Sequence, residues 1–127
     1  MRVIVDSNVI ISASLFKGKT MSSVLELIAT KYQLVLTNSI IDEVKLVVSK
    51  KFSNRIADFE NFFASLDFEY QHMPSGNFDD IQIRDVNDKH IIASALFANA
   101  DILVTGDEDF FEHSYEYLEI LRPSEFL

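Results

Sequence analysis

The sequence predicts an α/β fold, with a mainly parallel sheet covered by helices on both sides. Two observations predict it. Short β-branched runs alternate along the chain with longer stretches of helical spacing. The runs Val3–Val5 and Ile102–Val104 are also apolar at every position, which is the pattern of strands buried on both faces. A third observation locates the ligand end. Asp6 and Asp107 lie just past those two runs, and open sheets of this type bind ligands outside the carboxyl ends of their strands.

Each element has its own local reason. Arg2–Val5 is a β-branched strand that stops at Asp6. A loop holding Lys17, Gly18 and Lys19 leads to a helix over Met21–Lys31, with Val24, Leu27 and Ile28 on one face. Gln33–Leu36 is a second strand. Thr37, Asn38 and Ser39 offer caps, and Ser39-Ile40-Ile41-Asp42 fits the capping-box pattern before a helix through Ser49. A helix over Asn54–Leu66 would bury Ile56, Phe59, Phe62, Phe63 and Leu66, and Asp67–His72 is a third strand. Pro74–Asn87 mixes Pro, Gly, Asn and acids and reads as a loop. Asp88–Asn99 is a helix with Ile91, Ile92, Ala95, Leu96 and Ala98 on its apolar face. Ile102–Thr105 is a strand stopped by Gly106, and Tyr117–Leu121 is a last strand closed by Pro123.

Composition narrows the function. The 127 residues read as a single domain, 1–127, with 48% hydrophobic and 24% charged residues, ordinary for a globular chain. No apolar run approaches the length of a membrane span, and three apolar residues before Asp6 are too few for a signal-peptide core. The expected protein therefore has no membrane partner and is cytoplasmic. Cysteine is absent, which excludes disulfides, thiolate nucleophiles and Cys-ligated zinc. Three glycines leave no glycine-rich nucleotide loop, and no Gly-x-Ser-x-Gly elbow occurs. The histidines His72, His90 and His113 share no ligand spacing and read as surface or packing residues.

The net charge of −9 is unevenly spread. Residues 1–63 carry eight Lys/Arg against six Asp/Glu, and residues 64–127 carry three against fourteen. Such asymmetry suggests an acidic site beside a weakly basic flank, and a bound divalent cation inverts the local sign so that a phosphodiester can approach. Lys17, Lys19, Lys50, Lys51 and Arg55 are candidate phosphate contacts, though any one of them taken singly reads more simply as solvated surface.

Four acids stand where this fold could gather them: Asp6 after the first strand, Glu43 in the helix after the second, Asp88 at the start of the long helix, and Asp107 after the next strand. Hard cations such as Mg²⁺ take a few carboxylates plus substrate phosphate. Gathering carboxylates is repulsive without a cation. Each acid also has a plainer reading. Asp85 and Asp88 could cap a helix, Asp42 could be the capping acid of the helix that ends at Ser49, Glu43 could face solvent, and Asp107-Glu108-Asp109 could be a polar turn. Asp6, ending a buried strand, is hardest to read as surface.

Four segments then resemble the PIN-domain family, in order and over essentially the whole chain. Val3-Ile4-Val5-Asp6-Ser7-Asn8-Val9 is similar to the family's opening, an aliphatic strand followed by Asp-Ser/Thr-Asn. Leu36-Thr37-Asn38-Ser39 with Ile41-Asp42-Glu43-Val44 is similar to its second motif. Asp85-Val86-Asn87-Asp88-Lys89-His90-Ile91-Ile92-Ala93-Ser94-Ala95 is similar to the third, and Ile102–Phe110, with Thr105-Gly106-Asp107-Glu108-Asp109, to the fourth. Val86-Asn87 stands where some relatives place a proline.

The resemblance implies a PIN-like, Rossmann-like α/β/α sandwich, a single PIN domain over 1–127, and metal-dependent hydrolysis of RNA. It implies Asp6, Glu43, Asp88 and Asp107 as catalytic, Mg²⁺- or Mn²⁺-binding acids, assisted by Asp109. Ser7, Asn8 and Thr105 would support the acids or the water. Small PIN domains often resemble toxins of toxin–antitoxin pairs, which implies an antitoxin partner and a homodimer, with part of the Phe52–Leu66 aromatic stripe as one possible interface. The alternative is a catalytically silent PIN-like module binding RNA or protein. A phosphoacceptor domain would need an aspartate ending a central strand near mid-chain and a late lysine. A haloacid-dehalogenase-type phosphatase would need a second aspartate two residues after Asp6, where Asn8 stands.

Overall fold

A computed structural model of the chain describes residues 1–16, 19–74 and 88–127. Lys17, Gly18, Asp85, Val86-Asn87 and all of the predicted Pro74–Asn87 loop except Pro74 lie outside the described residues. The elements run β1 (Arg2–Val5), α1 (Ser7–Ile11), a π-turn (Ser12–Phe16), α2 (Lys19–Lys31), β2 (Gln33–Thr37) and α3 (Asn38–Lys51). A 3-10 turn (Ser53–Arg55), α4 (Ile56–Ser65), β3 (Glu69–Gln71), α5 (Lys89–Phe97) and β4 (Ile102–Val104) follow. A 3-10 turn (Glu108–Phe111), β5 (Glu119–Leu121) and α6 (Pro123–Phe126) end the chain.

The described strands form one five-stranded sheet in the order β3-β2-β1-β4-β5, and every pairing is parallel. The sheet is therefore fully parallel, as the uninterrupted apolar runs predicted. Val3, Ile4 and Val5 pair with Ile102, Leu103 and Val104, and all six side chains are buried. β2 is buried from Leu34 to Thr37. Residues alternate faces along a strand, so continuous burial requires cover on both sides. That cover comes from α3 packed against α1 and α5, and from α2 packed against α6.

Several local details differ from the sequence reading. Val9-Ile10-Ile11 is β-branched and poor in helix propensity, yet these residues form most of α1. The Asp6 carboxylate accepts the Asn8 N–H at 2.8 Å, capping the helix and turning the chain away from the strand. The N-cap of α3 is Thr37, whose hydroxyl accepts from the Ile40 N–H, rather than Ser39. Ser39 instead bonds a histidine, and Asn38 exchanges two hydrogen bonds with the Met73 backbone. The Asn54–Leu66 helix is a 3-10 turn followed by α4, with Phe59 buried and Ile56 exposed. Leu96, at the end of α5, is 43% exposed. Asn99 at φ 53° terminates α5, a conformation asparagine tolerates better than most residues. Pro123 opens α6, where its missing N–H is no loss.

Candidate metal centre

β1 connects to β2 on one side, while the chain leaving β3 crosses to β4 on the other. The carboxyl ends of β1 and β4 thus flank the point where strand order reverses, the usual ligand crevice of an open parallel sheet. Asp6 leaves β1 there, and Thr105, Asp107 and Asp109 follow β4 there.

Asp6 is the most enclosed of the acids, at 5% exposure. One carboxylate oxygen accepts the Asn8 N–H, and the other accepts the Thr105 hydroxyl at 2.6 Å. Burial pushes its carboxyl above the usual range. The Thr105 and Asn8 bonds oppose that rise, and the nearby charges of Glu43 and Asp107 add to it. A carboxylate kept in such a place is costly until a cation arrives. Thr105 is fully buried and works in two directions. Its hydroxyl donates to Asp6 and accepts the Asp107 N–H at 3.1 Å. Asp107 in turn accepts the Asp109 N–H at 2.9 Å, which opens the Glu108–Phe111 turn. Buried Phe110 anchors that turn. Arg122 braces it by bonding Glu108 at 2.8 Å and lying 4.1 Å over the Phe111 ring.

The third acid of this group comes from α5. Asp88 sits at its N-cap position, but its side chain makes no capping hydrogen bond. One carboxylate oxygen each from Asp88, Asp107 and Asp109 lies within 4.8 Å of the others. Asp109 therefore stands on equal terms with Asp88 and Asp107. Glu43 stands apart from that trio, although its charge reaches Asp6. Its Oε2 lies 2.6 Å from His90 Nε2, and His90 Nδ1 lies 2.7 Å from Ser39 Oγ. Burial raises the Glu43 carboxyl, but the His90 bond, the neighbouring Ser7 hydroxyl and the His90 ring together leave it net below the usual range.

Asn8 meets the site through its backbone, while its side chain is exposed. Ser7 is 2% exposed, and its hydroxyl is the buried side-chain polar atom that lacks a well-formed hydrogen bond among the described residues. A donor set of carboxylate oxygens, with the Ser7 hydroxyl close to Glu43, suits a hard cation such as Mg²⁺ or Mn²⁺ better than a soft one.

Sequence reasoning missed His90, Ser39 and the Thr37–Ser94 hydroxyl pair, whose oxygens are 2.7 Å apart in the core between α3 and α5. Spacing held part of the signal. Ser39 and Glu43 are four apart and so share a helix face, and His90 follows Asp88 by two. Two of the candidate phosphate contacts sit elsewhere. Lys50 and Lys51 end α3, roughly 18–20 Å from its start at the carboxyl edge. The Arg55 guanidinium is engaged by the Leu15 carbonyl at 2.7 Å and by Asp58 at 2.9 Å.

A family model described as PIN domain matches residues 2–109. Among solved structures the chain is similar to one described as VapBC2 from Rickettsia felis bound to a DNA fragment from their promoter. The match has a TM-score of 0.72 at 21% identity, and covers 96% of this chain and 98% of that chain. At that identity the likeness speaks to the fold. No curated protein matches.

Proposed function

The chain belongs to the PIN-domain family, whose members are generally nucleases, and from that premise we propose that it is a divalent-metal-dependent ribonuclease. One observation carries the reading: Asp88, Asp107 and Asp109 converge beside buried Asp6 at the switch point of the sheet. Asp6, Glu43, Asp88, Asp107 and Asp109 would hold Mg²⁺ or Mn²⁺. A cation bound there supplies charge neutralisation at the scissile phosphate and a water acidic enough to attack at neutral pH. The chain's own groups position the rest. Thr105 and the Asn8 N–H fix both Asp6 oxygens, Asp107 is tethered through Thr105, and Ser7 offers a hydroxyl beside Glu43. No side chain need act as nucleophile. Hydrolysis by water would leave a 5′-phosphate and a 3′-hydroxyl, and an endonucleolytic cut is the expected mode.

The single domain over 1–127 is proposed to act as the toxin of a toxin–antitoxin pair, in the cytoplasm and as a homodimer. Its likeness in fold to VapBC2 supports that role. Exposed Phe16, Leu46 and Ile56 supply apolar surface for a protein partner. No helix among the described residues is long and apolar enough to cross a membrane. The test is cleavage of labelled single-stranded RNA with Mg²⁺ or Mn²⁺, by the wild type and by Asp6→Asn. Metal-dependent cleavage lost in the variant supports the reading. Tight RNA binding without cleavage, in the presence of bound metal, would instead favour a silent binding module. Light scattering would decide the dimer, and a strict monomer would remove it.

A further inference from the structure

Glu43 reaches the acidic site on a long side chain, and nothing in its own helix fixes the carboxylate. The Ser7 hydroxyl of α1 lies close to it, and the short, well-formed bond comes from α5. Both ring nitrogens of His90 are engaged, Nε2 with Glu43 Oε2 at 2.6 Å and Nδ1 with Ser39 Oγ at 2.7 Å. Ser39 and Glu43 are four residues apart on α3, so one imidazole spans two consecutive turns of the same helix face. A neutral ring carrying its proton on Nε2 satisfies the arrangement completely, donating to Glu43 and accepting the Ser39 hydroxyl proton. The bond uses only Oε2, which leaves Oε1 outside the pair. The first turn of α5 thus does two things: Asp88 joins Asp107 and Asp109, and two positions later His90 orients the acid on α3.

We propose that His90 is a positioning residue that holds the Glu43 carboxylate towards the metal centre, with Ser39 setting the tautomer and orientation of its ring. The inference rests on the metal-site reading above. Partners that orient a ligating carboxylate or imidazole typically change metal affinity or activity by 10–100-fold when removed.

The experiment is direct Mn²⁺ binding to the purified protein, by calorimetry and electron paramagnetic resonance, with unfolding curves of the metal-free proteins alongside. His90→Ala is expected to weaken Mn²⁺ binding by about 10–100-fold. His90→Gln carries an amide N–H at about the reach of Nε2 and is expected to recover most of the affinity. Ser39→Ala should fall between the wild type and His90→Ala. If His90→Ala does not fold, His90→Asn serves in its place. It keeps a polar group towards Ser39 but cannot reach Glu43, so it should bind as weakly.

A merely structural role would lower thermal midpoints without this Gln-against-Asn split. Wild-type affinity in His90→Ala or His90→Asn would overturn the inference. So would equal weakening in the Gln and Asn variants, or a nitrogen directly coordinated to bound Mn²⁺ in the spin-echo spectrum. Absence of Mn²⁺ binding by the wild type would bring down the metal-site reading itself, and the inference with it.

Discussion

Asp6 shows how stability and function pull against each other at a single residue. For an acid whose folded pKa is raised, the favourable contribution is complete below the unfolded pKa and is lost as pH rises through the folded one. At neutral pH the metal-free protein therefore holds Asp6 at a cost, and an amide that never ionises escapes it. Asp6→Asn is expected to abolish RNA cleavage and to flatten the loss of metal-free stability as pH rises from acid to neutral, because the amide does not ionise, although its single acceptor oxygen must serve the two donors that Asp6 serves. Urea titration of both proteins without metal across that pH range is the check, and parallel pH profiles would contradict the account. Thr105 is tested by absolute stability. Thr105→Val keeps the shape but leaves an Asp6 oxygen and the Asp107 N–H without their hydroxyl, at about 1–3 kcal/mol. Thr105→Ser should restore most of that loss, and a Val variant as stable as the wild type would show that the hydroxyl is dispensable.

Between elements, the opposite edge of the sheet is held by charge. Arg2, opening β1, reaches past β2 to make a two-pronged pair with Glu69 of β3 at 3.0 and 2.7 Å, while its Nε bonds the Ala98 carbonyl. The Arg2 and Gln71 bonds pull the Glu69 carboxyl from 4.5 to about 2. With a depressed folded pKa, the contribution is present above the unfolded value and is lost as pH falls through the folded one, here between about 4.5 and 2. Stability of Glu69→Gln should therefore fall less steeply across that window, and the difference should shrink in high salt because the pair is partly exposed. Superimposable acid limbs would assign Glu69 no part in holding β3. Elements of this kind also mark what the sequence could reveal. The strands at Val3–Val5 and Ile102–Val104, and the acids just after them, were legible because burial on both faces writes an unbroken apolar run. Helix α1 was not, since a carboxylate cap overrode β-branched propensity. The Ser39–His90–Glu43 link was not, since α3 and α5 meet only through tertiary packing. Asp109's equal standing with Asp107 depends on the 3-10 turn, which no periodicity announces.

For the whole molecule, the difficulty is bringing a polyanion to a chain of net charge −9. Helices antiparallel to the strands of a parallel sheet start at the carboxyl edge and end at the far one, so the position of a lysine along its helix decides whether it can meet RNA at the site. Lys50 and Lys51 close α3 at the far edge, whereas Lys89 opens α5 directly after Asp88. In an Asp6→Asn background that binds without cutting, Lys89→Ala should weaken single-stranded RNA binding and reduce the salt slope by about one phosphate contact. Reversing both Lys50 and Lys51 to Glu should cost less affinity than Lys89→Ala, since the two lysines lie roughly 10–12 Å along α3 beyond Glu43, past a Debye length at physiological ionic strength. The measurement is fluorescence anisotropy of labelled RNA across a salt series at fixed Mg²⁺. A large loss from the Lys50/Lys51 reversal with no effect at Lys89 would mean that RNA approaches across the α3 terminus. In that case the phosphate path would not follow the carboxyl edge on which the acids converge.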